Sequence, residues 1–126
     1  MALDETVRSN NERFCAALVE QNLDTLVAHY DADISLLVPG APPFEGLDAV
    51  RAYYTDAFGA GLTAATLSTQ RVDDVGKTVI DVGTYWMAVE PPEADRFEAT
   101  GKYIHVLRRR ADGGLAIWRD IFQPDV

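Results

Sequence analysis

Polar and apolar positions divide the chain into a helical half and a strand half. Over residues 4–20, Val7, Phe14 and Leu18 recur on one helical face, with Asp4 as candidate N-cap. Asn22 opens a second, short helix in which Leu23, Leu26, Val27 and Tyr30 follow i, i+3, i+4, i+7 spacing. "ISLLVP" is an apolar strand stopped by Pro39, and "PGAPPFEG" is a loop, because its prolines cannot join a helix or a ladder. From Gly46, "GLDAVRAYYTDAF" returns to helix, with Leu47, Val50, Tyr54 and Phe58 on one face. Residues 63–73, 78–90, 96–110 and 114–123 read as strands, broken by "DDVGK", "PPEAD" and "ADGG". Helices followed by a strand meander predict an α+β domain, with the helices packed on one face of a curved antiparallel sheet.

The last two strands carry the unusual chemistry. Asp112-Gly113 is a strong hairpin signal. A two-residue turn there pairs His105 with Asp120, Leu107 with Trp118, and Tyr103 with Phe122, all on one side of the sheet. A turn at Gly113-Gly114 would leave His105 and Asp120 on a common face, and a three-residue loop would shift the pairing by one. A buried aspartate needs a partner, since an unpaired buried charge costs several kcal/mol. Opposed side chains have Cβ atoms about 5 Å apart, within reach of a hydrogen bond. Such a carboxylate orients the imidazole and favours its protonated form. The same pair also fits a purely structural role.

Length and composition narrow the function classes. The chain of 126 residues fits a single domain spanning 1–126, and 48 % hydrophobic residues suffice for one core. A net charge of −9 argues against nucleic acid and anionic membrane surfaces as partners. Arg108, Arg109 and Arg110 are the basic cluster, but alternation along a strand splits them between two faces. Arg109 shares the side of His105 near the turn. The single cysteine, Cys15, lies in an apolar helical stretch and reads as a small core residue. The polar, acidic start does not read as a signal peptide, no apolar run is long enough to span a bilayer, and a cytoplasmic location is expected. Too few Cys and His residues are present for a structural zinc site.

The order of helix, "NLDTLVAHYDADISLLVPG", "FEGLDAVRAYYTDAF" and strands ending "GKYIHVLRRRADGGLAIWRDIFQPD" resembles the nuclear-transport-factor-2-like superfamily, in its SnoaL-like and ketosteroid-isomerase-like branch. The similarity covers nearly the whole chain, and the C-terminal "GKY…DGG…I.RD.F" hairpin is its most specific element. The resemblance implies a cone: a curved antiparallel sheet wrapped around three N-terminal helices, with an internal pocket. It also implies a homodimer through the sheet. It places Tyr30 and Tyr54 at the pocket tyrosines of ketosteroid isomerases, Phe14 at their oxyanion-holding tyrosine, Val38 at their aspartate base, and His105 at their protonated acid. Phe14 and Val38 carry no transferable proton, so steroid isomerisation by that route is not implied. Polyketide-cyclase-like members look more similar. They pair a strand histidine with an aspartate in the pocket and use no metal or organic cofactor. Scytalone-dehydratase-like relatives combine tyrosine, histidine and aspartate; the Asp–Arg–Asp set of limonene-epoxide-hydrolase-like relatives has no match here.

These readings define a candidate site. His105 and Asp120 would shuttle a proton, and Tyr30 or Tyr54 would polarise a substrate oxygen. Phe14, Val38, Tyr54 and Phe58 would line the pocket from the helical half, and Trp86, Tyr103, Trp118 and Phe122 from the strands. Trp86 and Trp118 fit core or interface filling equally well. Tyr53 points elsewhere, to the surface or a dimer contact. His29 reads as a helix-surface residue, and Asp31 and Asp33 as solvent-facing residues at the end of that helix. The expected activity is cofactor-independent acid–base chemistry on an apolar or aromatic, polyketide-like metabolite: cyclisation, isomerisation or dehydration. A non-catalytic ligand-binding or dimerisation domain of the same fold is the alternative.

Overall fold

Asn22 separates the first two helices. Helix α1 (Leu3–Val19) ends, the backbone passes Gln21 at φ 55°, and Asn22 Oδ1 accepts the Thr25 N–H at 3.2 Å to start α2 (Leu23–Val27). The structure, a computed structural model, describes residues 2–126. Ala2, not Asp4, is the N-cap of α1. Asp4 lies in the first turn, where its charge still complements the helix dipole. Apolar spacing carries the second helix as far as Tyr30, yet it stops at Val27, and Tyr30 begins strand β1 (Tyr30–Leu37). Sheet pairing overrides the helical pattern here: Ile117 N already donates to the His29 carbonyl at 2.8 Å.

Within the proline-rich loop, β2 (Phe44–Glu45) pairs briefly with β1. Gly46, at φ +87°, then turns the chain into α3 (Leu47–Gly59), a conformation that favours glycine. Four long strands follow: β3 (Leu62–Asp74), β4 (Thr78–Val89), β5 (Phe97–Arg109) and β6 (Leu115–Pro124). They form one curved, unclosed sheet in the order β2-β1-β6-β5-β4-β3. All neighbours are antiparallel except β1 against β6. A bulge at Gln70 in β3 adds to the bend. The core lies between helices and sheet, where Val7, Phe14 and Leu18 meet Leu26, Val50, Ile34 and Val79. None of the described helices is long and apolar enough to cross a membrane.

The β5–β6 hairpin holds two compensating irregularities. Its loop has three residues, Ala111 to Gly113: Arg110 N donates to the Gly114 carbonyl at 2.7 Å, and Gly113 sits at φ +89°. That shifts the pairing by one, so Arg109 faces Leu115 and Leu107 faces Ile117 rather than Trp118. Trp118 is then the extra residue of a bulge, and beyond it the register returns to His105↔Asp120 and Tyr103↔Phe122. The bulge also turns Trp118 to the outer face. There, Arg108 and Arg119 lie over its ring at 4.1 and 4.0 Å, and its indole N–H donates to Asp33 at 3.3 Å. Arg108 also pairs with Asp31 and Asp33, whereas Arg109 pairs with Asp74.

Two glycines let aromatic rings lie flat across the inner face. Gly83 faces Tyr103, and Gly101 faces Tyr85. A Cβ on Gly83 would collide with the Ser68 carbonyl and the Tyr103 ring; one on Gly101 would collide with the Gln123 carbonyl and the Tyr85 ring. Each pair exchanges a side chain on one strand for a ring on its neighbour. Gly101→Ala is therefore expected to lower stability by about 1–3 kcal/mol, the usual cost of overpacking. Gly59→Ala, at the open end of α3, should stay within about 1 kcal/mol of the parent, in the stabilising direction. Urea denaturation midpoints of the two variants check this, and equal midpoints would rule out the notch.

Candidate functional site

The inner face of the sheet carries a row of charge-bearing side chains. Asp81 on β4, His105 on β5 and Asp120 on β6 face one another directly across adjacent strands. They are 0 %, 3 % and 5 % exposed, so bulk solvent is nearly excluded from them. His105 Nε2 lies 3.2 Å from Asp120 Oδ1, and its Nδ1 lies 3.9 Å from Asp81 Oδ2 without a hydrogen-bond partner. Burial pulls the His105 pKa down. The Asp120 charge, the hydrogen bond to it and the Asp81 charge together outweigh burial, so the pKa ends above the ordinary histidine value.

Both carboxylates have donors behind them. The Tyr30 hydroxyl donates to Asp120 Oδ2 at 2.9 Å and lies 2.9 Å from the Tyr54 hydroxyl. Burial first, then the Asp120 charge, pushes both phenols well above their usual range, so they stay neutral donors. On the other side, Asn11 Nδ2 donates to Asp81 Oδ2 at 2.9 Å, and the Tyr103 hydroxyl lies 3.2 Å from both Asp81 oxygens. Thr69 Oγ1 joins Asn11 and Tyr103 at 3.1 and 3.3 Å. Burial also raises the Tyr103 pKa.

Above this row lies a cavity of about 90 Å³ with mostly apolar walls. His105 and Asp120 reach it, together with the expected Phe14, Tyr54, Tyr103 and Phe122. Other expected residues lie elsewhere. Tyr30 stands behind Asp120 rather than on the wall, because it belongs to β1 and not to the helix. Val38, just past β1, and Phe58, tilted against Tyr54, pack on the core instead of lining the cavity. Trp86 and Trp118 are on the outer face: Trp86 follows the even-numbered positions of β4 and donates to Glu98 at 2.6 Å, and Trp118 is turned out by its bulge. Tyr53, expected at the surface, lines the cavity instead, with its phenol pushed up to about 12 mainly by burial. His29 is half-buried, edge-on to Phe14 at 5.7 Å, and burial lowers its pKa. Cys15 has its thiol pushed up to about 11 by burial, which suits a packing role.

Asp81, Asn11, Tyr85 and Met87 do not stand out in the sequence pattern, although signals for them exist. Asp81 interrupts the apolar run Val79–Val82 in the way Asp120 interrupts "IWRDIF". Asn11 sits on the buried stripe between Val7 and Phe14. Odd-numbered β4 residues point inward, which brings Tyr85 and Met87 to the wall. Among the described residues, no group of three or more His, Cys, Asp or Glu is arranged to hold a metal ion.

Comparison with known proteins agrees with this architecture. A ketosteroid isomerase-like protein from Erwinia carotovora atroseptica superposes with a TM-score of 0.85 at 15 % identity, covering 97 % of this chain and 95 % of that one. A nuclear transport factor 2-like superfamily protein from Salmonella enterica gives 0.81 at 12 % identity, covering 97 % and 90 %. An NTF2-like family protein from Streptomyces avermitilis, described as a proposed dehydratase, gives 0.76 at 20 % identity, covering 97 % and 96 %. No curated protein matches the chain in sequence. These structures share the nuclear-transport-factor-2-like fold with this chain, and the family model of the SnoaL-like domain matches residues 11–119: the chain belongs to that family.

Proposed function

We propose that this domain is a cofactor-independent enzyme performing acid–base chemistry on a small apolar or aromatic metabolite, of the cyclase, isomerase or dehydratase kind. One observation carries the reading: a buried histidine–carboxylate pair, His105 and Asp120, reaches a cavity whose other walls are largely apolar. A purely structural pair has no need of a cavity beside it, whereas proton transfer to a bound molecule does. Low-dielectric walls also strengthen the interaction of these charges with a polarised substrate.

The roles follow from the geometry. His105 and Asp120 exchange a proton with the substrate. Tyr54 is part of the wall, but its hydroxyl donates to the Tyr30 oxygen, because the Tyr30 hydrogen already goes to Asp120. Tyr30 touches Asp120 and not the cavity, so it orients the carboxylate. The free volume of about 90 Å³ favours the smaller members of the substrate class. The relatives described as isomerase-like and as a proposed dehydratase agree with chemistry of this kind, although their identities of 15 % and 20 % speak for fold and not for reaction.

Cyclisation, isomerisation and dehydration of carbonyl compounds share one step, removal of a proton from the carbon beside the carbonyl. A panel of small aromatic ketones and enones in D2O, followed by NMR, reads that step whichever of the three reactions the domain performs. The protein should accelerate exchange of that proton for at least one compound. Asp120→Asn and His105→Gln, with unchanged circular dichroism, should lose about 10²–10⁴ of the acceleration. Exchange that survives both substitutions, or none across the panel, would leave the reading without support.

A second copy of the chain is the partner we place on the outer face of the sheet. Val82, Ile104 and Ile121 form a cross-strand apolar row there, and the two isoleucines are 43 % and 45 % exposed. Light scattering should give a dimer for the parent and a folded monomer for the Ile104→Glu, Ile121→Lys double variant. A monomeric parent would remove this partner.

A further inference from the structure

Asp81 is fully buried and touches the proposed acid–base pair from the side opposite Asp120, yet proton transfer by that pair alone leaves it without a task. We propose that Asp81 is a positioning residue of the site: from β4 it confronts Nδ1 of His105 while Asp120 faces Nε2, so that the imidazole works as a doubly protonated cation and the base of the reaction is Asp120. The inference rests on the reading of the pair as catalytic, and it adds a division of labour between its members.

The donors around Asp81 identify its charge state. Thr69 Oγ1 accepts from Asn11 Nδ2 and can send its own hydrogen to the Tyr103 oxygen at 3.3 Å, which leaves the Tyr103 hydrogen for Asp81. Tyr103 then donates to Asp81, and so does Asn11. The Asp81 carboxylate thus accepts from both Asn11 and Tyr103, the arrangement that suits an acceptor-only, ionised group. Arg8 does not supply the counter-charge, since its guanidinium donates to the Thr69 carbonyl at 2.8 Å. His105 is the cationic partner within reach.

Neither neutral form of His105 suits this setting. With the proton on Nε2, the Nδ1 lone pair faces the Asp81 carboxylate at 3.9 Å. With the proton on Nδ1, the Nε2 lone pair faces Asp120 at 3.2 Å. Each arrangement sets a lone pair against a negative oxygen in a site nearly shut off from bulk solvent. Protonating both nitrogens turns both repulsions into attractions. The other titratable groups packed around the ring do not oppose this. Tyr103, whose ring centre is 4.6 Å away, and Tyr30 and Tyr54 behind Asp120 are all held neutral, and the Cys15 thiol is too. A histidine that is already doubly protonated cannot take a proton, so it donates, and Asp120 accepts.

Nitrogen-15 NMR of histidine-labelled protein tests this without any substrate, so a protein that turns nothing over still gives an answer. In the parent at pH 7, both His105 ring nitrogens should show imidazolium shifts, while His29 is neutral. In Asp81→Asn, the His105 midpoint should fall by about one unit or more, and its neutral form should carry the proton on Nε2. The His29 midpoint should not move. A neutral His105 in the parent at pH 7 overturns the proposal, even if the variant fails to fold. A folded Asp81→Asn protein with an unchanged His105 midpoint but a lower melting temperature overturns it too, and leaves Asp81 a purely structural residue.

Discussion

Two carboxylates and an imidazole share one row of a sheet, nearly out of reach of bulk solvent, and much of the inner face is arranged to tolerate them. Burying an ion costs several kcal/mol even after relaxation, and pairing offsets that only when the remaining lone pairs are also satisfied. Each end of the row accordingly has its own set of donors. Tyr30 and Tyr54 serve Asp120, while Asn11, Tyr103 and Thr69 serve Asp81. These come from α1, α3, β1, β3 and β5. Helices and sheet are thus held in register by polar contacts as well as by the apolar core. That is a stricter condition, because hydrogen bonds fail over distances that apolar packing accommodates.

The glycine notches belong to the same arrangement. Tyr103 reaches Asp81 because its ring lies across Gly83 on the neighbouring strand. A side chain at that position would lift the ring and strip the carboxylate of a donor. Gly101 does the same for Tyr85, whose ring then packs edge-on to Phe122 at 5.7 Å and closes one wall of the cavity. Small residues in the strands therefore decide where aromatic rings lie, and the rings decide which polar atoms meet.

Much of this is legible in the sequence, for reasons that differ by element. The long helices and strands announce themselves by period, and the hairpin by Asp112-Gly113. The pairing of His105 with Asp120 follows from that turn, although the three-residue loop and the Trp118 bulge each shift the register by one and cancel only at the site. A bulge has no period, so pattern reasoning cannot find it, and it puts Trp118 on the wrong face. Tyr30 is misplaced by the same reasoning because its spacing suits a helix, while its backbone is committed to β6. Asp81 stays hidden for another reason. A single aspartate within a strand becomes meaningful only when its cross-strand neighbour is known, and the long hairpin loop between β4 and β5 carries no sharp turn signal.

The departures from the ketosteroid-isomerase pattern also acquire a physical sense. The resemblance set Phe14 at the position where those enzymes are expected to hold an oxyanion; its ring meets His29, Tyr30 and Tyr54 edge-on at 5.7 to 6.2 Å. Val38 packs on the core, outside the cavity wall, so a carboxylate at that position would have no substrate to act on without a change in the chain around it. The polar groups of this domain are concentrated instead on the floor formed by β4, β5 and β6. His105 and Asp120 are the charge-bearing groups on cavity walls that are otherwise mostly apolar and aromatic. Under the proposed function, such walls would favour ligands that shed water readily over strongly hydrated ones.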